Sequence, residues 1–181
     1  MISEKMRADL GGGSMIRKMF EEGNRLRALY GDDHVFDFSL GNPDGEPPKE
    51  TLDAMRALVD EPGIHHYMPN AGFPDVRQKM ADYESQRCGL TIPMENVVMT
   101  VGAACGLSIA LKAILNPGDE VMVLAPFFME YLHYIRNNGA VPVIVQTDDA
   151  FKPDPQAVRA AMTPHTRAII INSPHNPTGV V

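Results

Sequence analysis

The chain has 181 residues, long enough for one sizeable hydrophobic core plus an appendage. Hydrophobic residues make up 44% and charged residues 22%, an ordinary globular balance, and the formal net charge of -7 argues against nucleic acid or an anionic membrane as partner. No apolar run reaches membrane length, Met1-Ile2-Ser3-Glu4-Lys5 lacks a signal-peptide core, and the two cysteines, Cys88 and Cys105, show no metal-ligand spacing. Cytoplasmic residence is the expectation, with both thiols buried or neutral rather than nucleophilic.

Gly11-Gly12-Gly13 is the one low-complexity patch, a flexible turn or an artificial joint. Ser14 is placed to cap a helix over residues 15 to 30. Met15, Ile16, Met19, Phe20, Leu26, Leu29 and Tyr30 give that helix an apolar stripe suited to packing on a core. Val35-Phe36-Asp37-Phe38-Ser39-Leu40 reads as a short extended segment, broken by the turn Gly41-Asn42-Pro43-Asp44-Gly45. Pro47-Pro48 opens a second helix, with Leu52, Met55, Leu58 and Val59 on its buried side and Pro62-Gly63 at its end. His65-His66 is a poor metal site, because adjacent residues diverge and no third ligand follows at useful spacing. A third helix runs from Pro74 to Arg87, with Val76, Met80 and Tyr83 on one side.

From there strands and helices alternate, the pattern of a parallel sheet covered by helices. Strands are expected at Val97–Thr100, Glu120–Leu124, Val141–Val145 and Ala168–Ile171, and helices near 103 to 115, 127 to 137 and 154 to 162. Asn116-Pro117-Gly118-Asp119 is a tight turn, and Pro142 puts its strand at a sheet edge.

Three strand-end loops carry the chemistry. Thr100-Val101-Gly102-Ala103-Ala104 joins a strand to an apolar helix, whose first turn offers N–H groups and a partial positive charge to a phosphate. Gly102 and Gly106 lack the third glycine of a dinucleotide fingerprint. Ala125-Pro126-Phe127-Phe128-Met129-Glu130-Tyr131 holds a ring able to stack on a flat heteroaromatic ligand, although a Phe-Phe pair alone is ordinary packing. Asn172-Ser173-Pro174-His175-Asn176-Pro177-Thr178-Gly179 follows a short run of isoleucines and holds an amide, Asn176, at the carboxyl edge where open α/β sheets bind ligands. Asn-Pro-Thr-Gly by itself is only a turn.

In this order, the three loops resemble those of the class I/II aminotransferases, enzymes of the aspartate-aminotransferase fold that use pyridoxal 5'-phosphate. The resemblance runs from about residue 35 to the last residue. It implies an α/β fold: a three-layer α/β/α large domain with a mainly parallel sheet, incomplete in this chain. It implies an arm and small-domain segment over 1–48, the first part of the cofactor-binding domain over 49–181, and a homodimer in the full-length form. It assigns the cofactor phosphate to the backbone N–H groups of Gly102, Ala103 and Ala104, with Ala104 standing where the family usually has a polar residue. By the same resemblance Phe128 stacks on the pyridine ring and Phe127 belongs to the core. Asn176 bonds the ring hydroxyl, and Tyr67, in a Tyr-x-Pro-x-x-Gly stretch ending at Gly72, reaches the phosphate of the partner subunit. Gly41 lies near the substrate carboxylate.

Transamination also needs a lysine bonded to the cofactor, an acid beside the pyridine nitrogen and an arginine for the substrate carboxylate. None of Lys5, Lys18, Lys49, Lys79, Lys112 and Lys152 has the family's setting, and Asp119-Glu120 lies in the turn before a strand. The expected catalytic residues therefore fall beyond Val181. The chain reads as an amino-terminal half, with Val97–Thr100 left without its strand neighbours: a truncated piece, a proteolytic product or half of a split protein. The implied activity moves an amino group from an amino acid to a 2-oxo acid. A carbon–sulfur lyase of the same fold, or a non-catalytic module for a phosphate ligand or protein partner, fits the same loops.

Overall fold

β-Branched runs bounded by prolines and glycines become the sheet, and the apolar helices between them cover it. The computed structural model describes residues 2–4, 7, 15–38, 41, 43 and 45–181, with backbone alone for 15–17. The expected cap at Ser14, the Gly11–Gly13 patch, Ser39, Leu40, Asn42 and Asp44 lie outside the described residues. Two compact units result, Met1–His66 and Tyr67–Val181.

The first unit holds helix α1, Met15–Tyr30, a 3-10 turn at Asp32–His34 and helix α2, Lys49–Val59. Gly23 of α1 is buried because the chain doubles back on it: a Cβ there would meet Asp37 Oδ2 at 2.8 Å. The Arg27 guanidinium holds that same carboxylate at 2.9 Å. Among the described side chains, the apolar stripes expected to be buried are mostly exposed, with Leu26 and Leu52 partly buried. Met19, Phe20, Leu29 and Tyr30 on α1, and Met55, Leu58 and Val59 on α2, are exposed. An amphipathic helix buries its stripe only where another segment meets it, and among the described residues of this unit the 35–38 segment meets α1 only around Gly23 and Leu26. His65 and His66 do not diverge as expected. Their rings meet edge to face, with centroids 4.5 Å apart. Among the described residues no group of three or more His, Cys, Asp or Glu could hold a metal ion.

The second unit begins with the Tyr67–Gly72 loop and helix α3, Pro74–Cys88. Gly72 has φ +102, and a Cβ on it would meet Met99 Cγ at 2.7 Å, so only glycine lets the loop lie against that residue. Helix α3 corrects the expected packing face. Val76, Met80 and Tyr83 are exposed, whereas Arg77, Ala81 and Ser85, spaced by four, face inward. The reason is polar. Arg77 donates to Val97 O at 2.7 Å and Met94 O at 3.0 Å, and Ser85 Oγ accepts from Ile92 N at 2.8 Å. Cys88, expected to be buried or neutral, is exposed at the end of α3, and Cys105 is partly buried.

Helix α4, Gly102–Ile114, leads through the Asn116–Asp119 turn into β1, Glu120–Ala125. Helix α5, Glu130–Asn137, strand β2, Val141–Gln146, helix α6, Pro155–Ala161, and strand β3, Thr166–Ile170, complete the unit. Helix α5 starts three residues later than expected, because Pro126-Phe127-Phe128 forms the loop at the sheet edge. The sheet is parallel, in the order β2-β1-β3, which puts Pro142 on an edge strand as expected. The expected strand at Val97–Thr100 does not form: the segment pairs with no strand among the described residues and is held by Met99 N to Ala71 O at 2.9 Å. A β-branched run becomes a strand only when a neighbour supplies the ladder.

Central β1 divides its side chains between two layers. Val121 and Val123 pack with Leu111, Leu132, Ile135 and Ala140 under α4 and α5, while Met122 and Leu124 pack with Val145 under α6. The result is three-layered α/β/α. Among the described residues no helix is long and apolar enough to cross a membrane.

Asp119, at the entry to β1, is the buried charged residue of this unit. Its carboxylate accepts from Asn116 N at 2.8 Å and from Arg167 Nε at 3.4 Å. Arg167 sits where the β1–β3 register slips between Glu120 and Val121. The Asn116 amide first, and Arg167 second, hold the Asp119 carboxyl below its ordinary value. A carboxyl whose folded pKa lies below its unfolded one, about 3.9, stabilises the fold above that pH and loses the effect as pH falls through the folded value. Asp119→Asn is therefore expected to flatten the loss of stability below about pH 4, read from urea melts at pH 3 and pH 6.

Candidate functional site

The carboxyl edge of the sheet carries two of the loops singled out from the sequence, those bearing Phe128 and Asn176. Parallel neighbours β1 and β3 end side by side, with Val123 opposite Ile170, so the loops bearing Phe128 and Asn176 leave from adjacent strand ends. Helix α4 reaches β1 through residues 115–119, and its Leu111 packs with Val121 and Val123 of that strand.

Each loop has its own local cause. Gly102 has φ +73, and the space its Cβ would enter is empty. A left-handed residue there lets the chain turn from the 97–100 segment into α4, with Gly102 N donating to Thr100 O at 2.9 Å. No side chain caps α4. Ala103 and Ala104 are exposed, and the N–H groups of a helix's first turn have no intrahelical acceptor. Phe127 packs against the core, as expected, which leaves the neighbouring Phe128 as the ring of the loop. Phe128 is half-buried and meets Tyr131 edge to face, with centroids 5.6 Å apart. Burial pushes the Tyr131 phenol up.

The Asn176 turn is closed by its own hydrogen bonds. Gly179, at φ +74, donates to His175 O at 2.6 Å, and His175 N donates to Val180 O at 2.8 Å. His175 Nδ1 and Thr178 Oγ1 lie 2.8 Å apart. The Asn176 side chain is exposed and makes no hydrogen bond among the described residues. Ala125–Pro126, Ser173–Pro174 and Asn176–Pro177 are cis.

Tyr67 is fully exposed at the start of its unit. Gly41 belongs to the unit Met1–His66 and is exposed, with empty space where a Cβ would project. Lys18, Lys49, Lys79, Lys112 and Lys152 are all exposed, and Lys5 lies outside the described residues. A cavity of about 380 Å³ opens at the α6 side of the same edge, lined in part by Thr147, Lys152, Asn172 and His175, and includes none of Gly102, Phe128 or Asn176. Sequence reasoning missed Asn172 and Thr147. Asn172 Oδ1 accepts the Asn176 N–H at 2.5 Å, and Thr147 Oγ1 donates to Ala125 O at 2.7 Å, tying the ends of β2 and β1. An amide at a strand end, four residues before another, was the available signal for Asn172.

Fold and edge together define an α/β protein with a parallel sheet, whose carboxyl rim carries the loops of Phe128 and Asn176. Residues 33–181 match the family of class I and II aminotransferases. The chain is 43% identical over 145 residues to the probable aspartate/prephenate aminotransferase of Thermus aquaticus, covering 79% of this chain and 38% of that protein. It is 35% identical over 168 residues to the aspartate aminotransferase of Pyrococcus horikoshii, covering 92% and 41%. An amino transferase crystal structure from Eubacterium rectale aligns with a TM-score of 0.89 at 34% identity, over 98% of this chain and 46% of that one. The Thermus thermophilus aspartate aminotransferase with maleate aligns with a TM-score of 0.83 at 34% identity, again over 98% and 46%. The chain belongs to the class I and II aminotransferase family. It spans 38% and 41% of the length of the two curated relatives named here.

Proposed function

We propose that the whole protein is a pyridoxal-phosphate-dependent aminotransferase moving an amino group from an amino acid to a 2-oxo acid, and that this chain supplies the cofactor cradle. Two observations support the reading: the loops bearing Phe128 and Asn176 leave adjacent strand ends, and the first turn of α4 is exposed with no side chain capping it. The residues fit the group. A phosphate dianion suits N–H donors at a helix amino terminus, and the glycine opening leaves the approach clear of side chains.

When bound, pyridoxal phosphate supplies a carbonyl for the substrate amine and a ring that withdraws electrons from the substrate Cα. Of the three residues assigned to the phosphate, Ala103 and Ala104 offer it their backbone N–H groups, while the Gly102 N–H is already given to Thr100 O and Gly102 serves by leaving the approach open. Phe128 offers a flat apolar face that orients the ring and excludes water from it. The Asn176 carboxamide donates to the ring hydroxyl oxygen and favours its ionised form. Tyr67, projecting from its unit, is assigned to the phosphate of a partner subunit, which makes the full-length protein a homodimer. Gly41 is assigned to the passage of the substrate carboxylate. Cytoplasmic residence agrees with an acidic chain whose described helices do not cross a membrane.

The test follows nitrogen. The full-length protein, given pyridoxal phosphate, a ¹⁵N-labelled amino acid mixture and an unlabelled 2-oxo acid, is expected to yield the labelled amino acid of that oxo acid, detected by mass spectrometry. Cofactor retention without transfer of label to any oxo acid sinks the aminotransferase reading.

A further inference from the structure

We propose that Asn172 is the positioning residue for Asn176, its carboxamide oxygen setting the backbone from which the Asn176 side chain reaches the cofactor. This rests on the reading of Asn176 as the donor to the ring hydroxyl.

Asn172 stands two residues beyond Ile170, the last residue of β3, which pairs with Val123 of the buried central strand. It therefore shares the sheet's rigidity. Asn172 Oδ1 accepts the backbone N–H of Asn176 at 2.5 Å. The donor is an amide N–H, so the direction of the bond is unambiguous. Beyond Asn176, the bonds among His175, Thr178, Gly179 and Val180 close the turn on itself. Among the described residues those bonds are internal to the turn, and the Asn172 oxygen is the hydrogen bond that ties it to the end of β3. Without it the turn keeps its shape but pivots on the two linking residues, Ser173 and Pro174.

The Asn176 head group is exposed while its backbone is held. A side chain with a fixed root loses little freedom on binding, which is what preorganisation requires. Stability depends less on the same bond. Asn176 is exposed, so its released N–H can be satisfied by water, and removing the acceptor leaves no buried polar group unpaired. Asn172 thus acts on ligand geometry more than on folding.

The experiment uses the full-length protein as wild type and as Asn172→Ala, Asn172→Asp and Asn176→Ala. Three quantities are measured: the dissociation constant for pyridoxal phosphate, the pH midpoint of the bound cofactor's visible absorption, and the melting temperature of the apo form. Asn176→Ala is expected to weaken binding and raise the midpoint, since a donor to the ionised ring oxygen is lost. Asn172→Ala is expected to weaken binding about fivefold and to raise the midpoint by a smaller amount. Its apo melting temperature stays within about 2 °C of wild type. Asn172→Asp keeps the acceptor and restores affinity to within about twofold. If Asn176→Ala weakens binding while Asn172→Ala matches wild type, the positioning role is wrong. It is equally wrong if Asn172→Ala lowers affinity only alongside the melting temperature and Asn172→Asp fails to restore it. An unchanged Asn176→Ala overturns the underlying reading as well, and is told apart from the other failures by that variant alone.

Discussion

Asn176→Ala in the full-length protein is expected to raise the dissociation constant for pyridoxal phosphate, and to lower kcat/KM, by about tenfold to a hundredfold. The range follows from losing one hydrogen bond to an ionised oxygen, about 1.5–3 kcal/mol. Folding should hardly respond. The side chain is exposed and bonds nothing among the described residues, so the apo protein's stability is expected to stay within about 0.5 kcal/mol of wild type. Loss of affinity with an unchanged melt is the signature of a ligand contact rather than a structural one. Equilibrium titration of the apo protein followed by absorbance supplies the first quantity and urea denaturation the second. An affinity within twofold of wild type would remove Asn176 from the cradle.

Local chemistry made most of the second unit legible in the sequence. Val121–Leu124 and Ala168–Ile170 carry β-branched and apolar runs between turn residues, and both became strands. Pro142 cannot donate to a ladder, and its strand lies at an edge. The site loops were legible because glycine and proline mark the places where a strand must turn. Where the sequence misled, the deciding partner was distant. Helix α3 shows an apolar side at Val76, Met80 and Tyr83, yet packs through Arg77 and Ser85, whose partners are carbonyl and amide groups of residues 92–97. Composition does not register such bonds. Val97–Thr100 has a strand's residues but no ladder among those described. Asn172 was visible only as part of a motif string, because its role is one hydrogen bond across a turn.

The core beneath the edge governs how firmly that rim is held, and Ile135→Ala tests it. Ile135 is 0% exposed and belongs to the cluster of Leu111 from α4, Val121 and Val123 from β1, and Leu132 and Ala140. It therefore joins α4 and α5 to the central strand. Truncation to alanine removes most of a buried side chain and leaves a cavity. Val121 and Val123 cannot collapse into it, because β1 is paired with a strand on each side. The expected cost is about 3–4 kcal/mol, within the range for large-to-small core changes and a large part of a domain's net stability. Ile144→Ala supplies the contrast. Ile144 lies on edge strand β2 and is 51% exposed, and its truncation is expected to cost under about 1 kcal/mol. Urea midpoints at constant slope give both values. Because α4 and α5 share the Ile135 contact, that variant should also bind pyridoxal phosphate more weakly, so here affinity and stability fall together, unlike in Asn176→Ala. Equal costs for Ile135→Ala and Ile144→Ala would show that the cluster under α4 and α5 is not the centre of the fold.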